Sequence, residues 1–131
     1  MMLELWHVAS PKKALMIMDS GFIPLAHREQ EPKDRVFSYD KETAEYVAKY
    51  GDSKDVWITF EVPETEVWVG DLELEGAPEY PDSYMPYLLY KRQMRRYDEA
   101  EMLVSRPVKA KDYYDRRTFK LLSRKEIEER L

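Results

Sequence analysis

Glu99 and Glu101 flank a single alanine at the head of the run Asp98-Glu99-Ala100-Glu101-Met102-Leu103-Val104. Read as a strand, the run points both glutamates the same way, roughly 6.5–7 Å apart. Two carboxylates on one surface either ride a solvated edge or line a cleft. On an edge they pair with cross-strand lysine or arginine. In a cleft a carboxylate can stabilise developing positive charge or act as a general base. His7 ends a strand just before a helix, where a histidine without further context is a structural residue. Cysteine is absent, which excludes disulfides, thiolate zinc sites and a cysteine nucleophile. His7 and His27 lie 20 residues apart among scattered acids, without metal-ligand spacing, so no metal is expected. Four isolated glycines offer no phosphate-binding loop of the P-loop or Rossmann kind.

The elements that must position these groups follow from periodicity. Leu3 to Val8 alternates as a strand, and Ser10-Pro11 starts a helix running to Ser20, with Ala14, Leu15 and Met18 inward and Gly21 stopping it. Phe22 to Asp34 reads as a long loop, and loops of that length are often functional. Arg35 to Tyr39 is a short strand, after which Asp40 caps a helix through Lys49 with Ala44, Val47 and Ala48 on its apolar side. Val56 to Val62 is the strongest strand in the chain, and Glu66 to Leu72 is a second one nearby. Tyr84, Tyr87, Leu88 and Met94 recur at near-helical spacing before a basic end at Lys91, Arg92, Arg95 and Arg96. The Glu99–Glu101 strand follows, Pro107 breaks it, Arg117 to Leu122 is a last strand, and Ser123 to Glu126 is a capping box. The order predicts one α+β domain over residues 1–131, with short flanking helices, rather than a doubly wound sheet.

Length supports one hydrophobic core. The formal charge of -5, from 26 acids against 21 bases, argues against a chain that coats nucleic acid by charge alone. The first residues lack the basic flank and apolar run of a signal peptide, and no stretch approaches a membrane span, so a soluble cytoplasmic protein is expected.

Three segments, in chain order, resemble the three sheet motifs of the ADP-ribosyltransferase superfamily, the fold of diphtheria-type toxins and poly(ADP-ribose) polymerases. They are Leu5-Trp6-His7-Val8-Ala9-Ser10 with its helix, Val36-Phe37-Ser38-Tyr39-Asp40 with Thr43-Ala44-Glu45-Tyr46, and Glu99-Ala100-Glu101 with Met102-Leu103-Val104. The resemblance spans most of the chain and implies a mixed, split β-sheet and NAD as substrate. It implies that His7 binds the NAD ribose, that backbone groups at Val8 pair with the nicotinamide amide, and that Phe37 holds the aromatic position on the second strand. Thr43 would bond the carboxamide and Tyr46 would stack on nicotinamide. Many members carry glycine and then a hydroxyl residue where this chain has Val8 and Ala9, and tyrosine where it has Phe37.

Breaking the ribose–nicotinamide bond passes through an oxocarbenium-like species, the charge problem that carboxylates solve in glycoside hydrolysis. By the resemblance, Glu101 is the catalytic acid that stabilises this charge, and Glu99 polarises the incoming nucleophile. The acceptor, whether protein, nucleic acid or water, is left open. Two alternatives stand beside this reading. One is a noncatalytic domain of the same fold that binds a nucleotide or a protein, which Val8, Ala9 and Phe37 favour. The other is an RNA 2′-phosphotransferase-like enzyme, for which the chain offers few inward basic residues.

Overall fold

The computed structural model describes residues 1–28, 34–71, 84–92 and 100–131. In chain order the elements are β1 (Met2–Ala9), α1 (Pro11–Ser20), β2 (Phe22–Ile23), β3 (Val36–Tyr39), α2 (Lys41–Val47) and β4 (Val56–Pro63). A 3-10 turn at Glu64–Glu66 leads to β5 (Val67–Asp71), then β6 (Met85–Pro86), α3 (Tyr87–Tyr90), β7 (Ala100–Val104), β8 (Val108–Lys109), β9 (Tyr113–Asp115) and α4 (Arg124–Glu128). The fold is α+β: a seven-stranded sheet in the order β6-β5-β7-β3-β1-β4-β9, a two-stranded β2-β8 ribbon, and short helices. The sequence led to an expectation of a mixed sheet, but every pairing among the described residues is antiparallel.

β4 has the composition of a strand covered on both sides. Val56, Ile58, Phe60 and Val62 are fully buried on one face, and Trp57 and Thr59 are buried on the other. It pairs with β1 over eight registered residues, from Met2↔Pro63 to Ala9↔Val56. Leu5, Ala9 and the alternate residues of β4 join the larger core with Ala14 and Ile17 of α1, Tyr90 of α3 and Ile127 of α4. Trp6 and Trp57 join a second core on the opposite face with Ala44 and Ala48 of α2.

The helix ends follow from local chemistry. The Ser10 hydroxyl accepts from the Lys13 amide, Pro11 occupies the first turn, and Gly21 closes α1 in the left-handed region at φ 84°. Ala14 and Ile17 are the buried residues of α1, with Leu15 and Met18 half-buried beside them. Asp40 caps α2 through the Thr43 amide, and Ser123 and Glu126 form the reciprocal capping box of α4.

The loop expected from Phe22 opens instead with the strand Phe22–Ile23, paired with Val108–Lys109, and two further elements differ from their sequence reading. The helix expected from Tyr84 is only Tyr87–Tyr90, because Pro86 drives the residue before it into extended conformation, and Met85–Pro86 pairs with Trp68–Val69 instead. Its expected continuation through Met94, Arg95 and Arg96 lies outside the described residues. The strand expected at Arg117–Leu122 is displaced to Tyr113–Asp115. The Asp115 carboxylate accepts from the Arg117 and Thr118 amides and turns the chain there, with Phe119 at φ 58°.

That turn latches onto the second core. The Trp57 indole N–H donates to the Arg116 carbonyl at 2.9 Å, and the Arg116 guanidinium donates to the Val47 carbonyl at the end of α2. Gly51, at φ 79°, leaves the room this needs: a Cβ there would lie 2.9 Å from Arg116 Nη2. Trp57→Phe keeps most of the ring contacts but strands a buried carbonyl, so it should lower stability by about 1–3 kcal/mol in urea denaturation. A change below about 0.5 kcal/mol, the scale of a neutral surface substitution, would show that this latch carries no stability.

Candidate functional site

β7 runs between β3 and β5, buried along its length. Ala100, Met102 and Val104 enter the larger core, so Glu101 and Leu103 turn to the opposite face. Glu101 is 2 % exposed and stands opposite Tyr39 on β3 and Gly70 on β5. Glycine at 70 is required by its neighbour, since a Cβ there would lie 2.1 Å from Tyr84 Cε1. The Tyr84 ring fills that space and its hydroxyl donates to Glu101 Oε1 at 3.4 Å. Arg28 Nη2 donates to Glu101 Oε2, also at 3.4 Å, longer than the roughly 2.7–2.9 Å of a tight charge-assisted pair. The same guanidinium stands over Phe37, its Cζ 3.3 Å from the ring centroid.

His7 sits one residue beyond Trp6, whose cross-strand partner is Tyr39, and Tyr39 in turn faces Glu101. Cross-strand partners share a face and successive residues alternate, so Glu101 lies on the Trp6 side of the sheet and His7 on the other. His7 Nδ1 donates to the Phe37 carbonyl at 2.7 Å. A carbonyl only accepts, so Nδ1 carries the hydrogen and Nε2 of the neutral ring is an acceptor. Burial holds the His7 pKa below its ordinary value; the bond to Phe37 opposes this and Lys13 adds to it. The ring lines a cavity of about 440 Å³ with Val8, Lys13, Ile17, Leu25 and His27.

The expected site residues are therefore brought together in part. His7, Phe37 and Glu101, from three separate strands, form one line of contact through the Phe37 backbone, its ring and Arg28. Val8 shares the His7 cavity. Thr43 is buried under α2, and Tyr46 lies on the exposed side of that helix, edge-on to Tyr50 and beneath the Lys49 ammonium. Glu99 lies outside the described residues.

Arg28, Gly70 and Tyr84 were missed by sequence reasoning. Arg28 carries no motif; the only signal was its place in an unusually long loop. Tyr84 was read as part of a helical stripe, and Gly70 acquires meaning only once Tyr84 is set against it.

The chain matches no family model, no curated protein and no solved structure. Among the described residues no group of histidine, aspartate and glutamate is arranged to hold a metal ion, and no helix is long and apolar enough to cross a membrane.

A histidine whose pKa is depressed in the fold stabilises it fully above the unfolded value of 6.5, and that contribution is lost as pH falls below 6.5 toward the folded pKa. His7→Asn, which retains a donor near the Nδ1 position, should remove this part of the pH dependence. The stability difference between the native chain and the variant, from urea melts between about pH 7.5 and 5, should shrink as pH falls below 6.5. A difference constant with pH would mean that His7 titrates alike in both states.

Proposed function

We propose that the protein cleaves the ribose–nicotinamide bond of NAD and transfers ADP-ribose to an acceptor or to water. The observation that carries this reading is the contact line from His7 through Phe37 and Arg28 to Glu101. It joins the three segments that resemble the superfamily motifs, and it ends on a carboxylate kept in the interior. Taking a carboxylate out of water costs several kcal/mol. An interior carboxylate flanked by an aromatic face is a reasonable place to hold positive charge.

In this reading Glu101 accepts a hydrogen bond from the ribose 2′-hydroxyl and stabilises the cationic ribose as the C–N bond breaks. The bonding pair leaves with the pyridine nitrogen, so nicotinamide departs neutral and needs no general acid. Neutral His7, with Nε2 as acceptor, keeps the ribose-binding role that the resemblance implies, from the face of the sheet opposite Glu101, and Val8 offers backbone groups beside it. Thr43 and Tyr46 keep the carboxamide and stacking roles that the resemblance implies, and Glu99 that of polarising the acceptor. The acceptor class stays open among water, protein and nucleic acid.

The second reading, a noncatalytic nucleotide- or protein-binding domain, is favoured by one observation: Glu101 and His7 lie on opposite faces of the sheet, with Arg28 already against the carboxylate.

The two part on nicotinamide release from NAD, followed by chromatography for the native chain and Glu101→Gln. The enzyme reading expects release that falls about 10²–10³-fold in the variant, the scale of losing one preorganised electrostatic group. Release untouched by Glu101→Gln would discard the mechanism. No release together with no NAD binding would discard the reading, and binding without release would leave the binding domain.

A further inference from the structure

We propose that the Phe37 ring and the Glu101 carboxylate form a binding site for a planar, delocalised cation, and that Arg28 fills this site from within the chain. The inference goes beyond the NAD reading and rests on these three residues alone, so it stands whether or not NAD is a substrate.

The two receiving groups are fixed by the sheet. Phe37 pairs with Leu103 and Tyr39 with Glu101, which makes Phe37 and Glu101 diagonal neighbours on one face of adjacent strands. The Glu101 side chain is 3 % exposed. The occupant differs from its site: the Arg28 side chain is 35 % exposed, and its backbone lies two residues past the isolated Ala26↔Arg35 bridge rather than in a strand. The result is a rigid receptor half and a tethered, partly solvated ligand half.

The shape of the site selects among cations. Arg28 Cζ stands 3.3 Å from the Phe37 ring centroid while Nη2 reaches Glu101 Oε2, and a planar group laid on the ring can meet both at once. An ammonium is a compact, strongly hydrated point charge that can meet the carboxylate but cannot cover the ring in this way. The ligands that fit share one chemistry, a planar monocation with its charge spread over the ring or fork. Guanidinium and N-alkylpyridinium groups are its two sources. Arg28 meets Glu101 at 3.4 Å with its side chain 35 % exposed, so solvent reaches the occupant but not the carboxylate. A tethered group competes at an effective concentration on the order of millimolar, and a free ligand sees the site only while the tether is away.

The test uses the full chain, with Arg28→Ala, Arg28→Lys and the double variant Arg28→Ala/Glu101→Gln. Methylguanidinium and 1-methylnicotinamide are the planar cations, methylammonium is the compact hydrated one, and nicotinamide is a flat neutral control. Thermal unfolding and NMR titration read binding. Both planar cations should raise the Tm of Arg28→Ala saturably, with half-saturation at least about tenfold below that of the native chain. Their order identifies which source the site prefers. Methylammonium, nicotinamide and the double variant should give no saturable shift.

An equal response to methylammonium, an equal response of native and Arg28→Ala, or full retention of binding in the double variant would each overturn the proposal. Removing Arg28 leaves a buried carboxylate without this partner and can prevent folding. Arg28→Lys keeps a cation for Glu101, and there the same order of probes should appear at half-saturation between native and alanine values; its absence overturns the proposal equally. Planar-cation binding without nicotinamide release from NAD would refute the enzymatic reading and retain the site, and the converse would do the opposite.

Discussion

The eight-residue register between β1 and β4 is the constraint from which the rest of the molecule follows. A strand pair has a period of two, so slipping it by one residue would carry Leu5 and Ala9 out of the larger core and bring Glu4 and Trp6 into it. β4 forbids the slip because both its faces are filled, the aliphatic side by three helices and the Trp57 side by α2. Trp57 makes this specific. Its ring meets Trp6 and Tyr39 edge-on and stacks on Phe119, so three segments are held by one side chain. Once β1 is fixed, Trp6 sets Tyr39 through the β1–β3 pair, and Tyr39 sets Glu101 through the β3–β7 pair.

The join between β1 and β3 is the thin point of this arrangement. Where β1 and β4 share eight registered pairs, β1 and β3 share one. Past that pair, the His7 side chain bonds the Phe37 carbonyl, so an imidazole stands where a backbone amide would continue a ladder. The substitution ties the protonation of His7 to the position of β3. It also couples the two faces of the sheet, because the residue whose carbonyl His7 holds is the one whose ring carries Arg28. Any ligand that moved Arg28 off Phe37 would act one peptide away from the His7 cavity.

The elements legible in the sequence were those whose causes are local. The Ser10 and Asp40 caps, the Gly21 stop, the Ser123 capping box and the two-faced strand at Val56–Val62 depend on neighbours within a few residues, and each forms where those neighbours direct. The Tyr84 helix failed because Pro86 outranked a helical spacing of aromatics, and the Arg117 strand failed because an aspartate side chain captured the amides that a strand would have used. The site was legible only at the level of which strands contribute to it. His7, Phe37 and Glu101 lie 30 and 64 residues apart in sequence, and which face each one takes is decided by pair registers that no local pattern encodes. Arg28 was invisible for the same reason: its role exists only where β3 and β7 meet.

An interior carboxylate is a poor device for stability alone, since well-packed apolar groups of the same volume usually serve as well or better. The surroundings of Glu101 show the consequences spread over several residues. Gly70 gives up a side chain, Tyr84 turns a hydroxyl inward, and Arg28 leaves solvent in part to stack on Phe37. The Arg28 and Tyr84 bonds to the carboxylate are both long. A purely structural ion pair would be expected to tighten, because in a low-dielectric interior the attraction grows as the separation falls. The Arg28 and Tyr84 contacts to Glu101 are both 3.4 Å, and Arg28 reaches the carboxylate from over the Phe37 ring, so the carboxylate, the ring and the loop cation form one unit across β3 and β7.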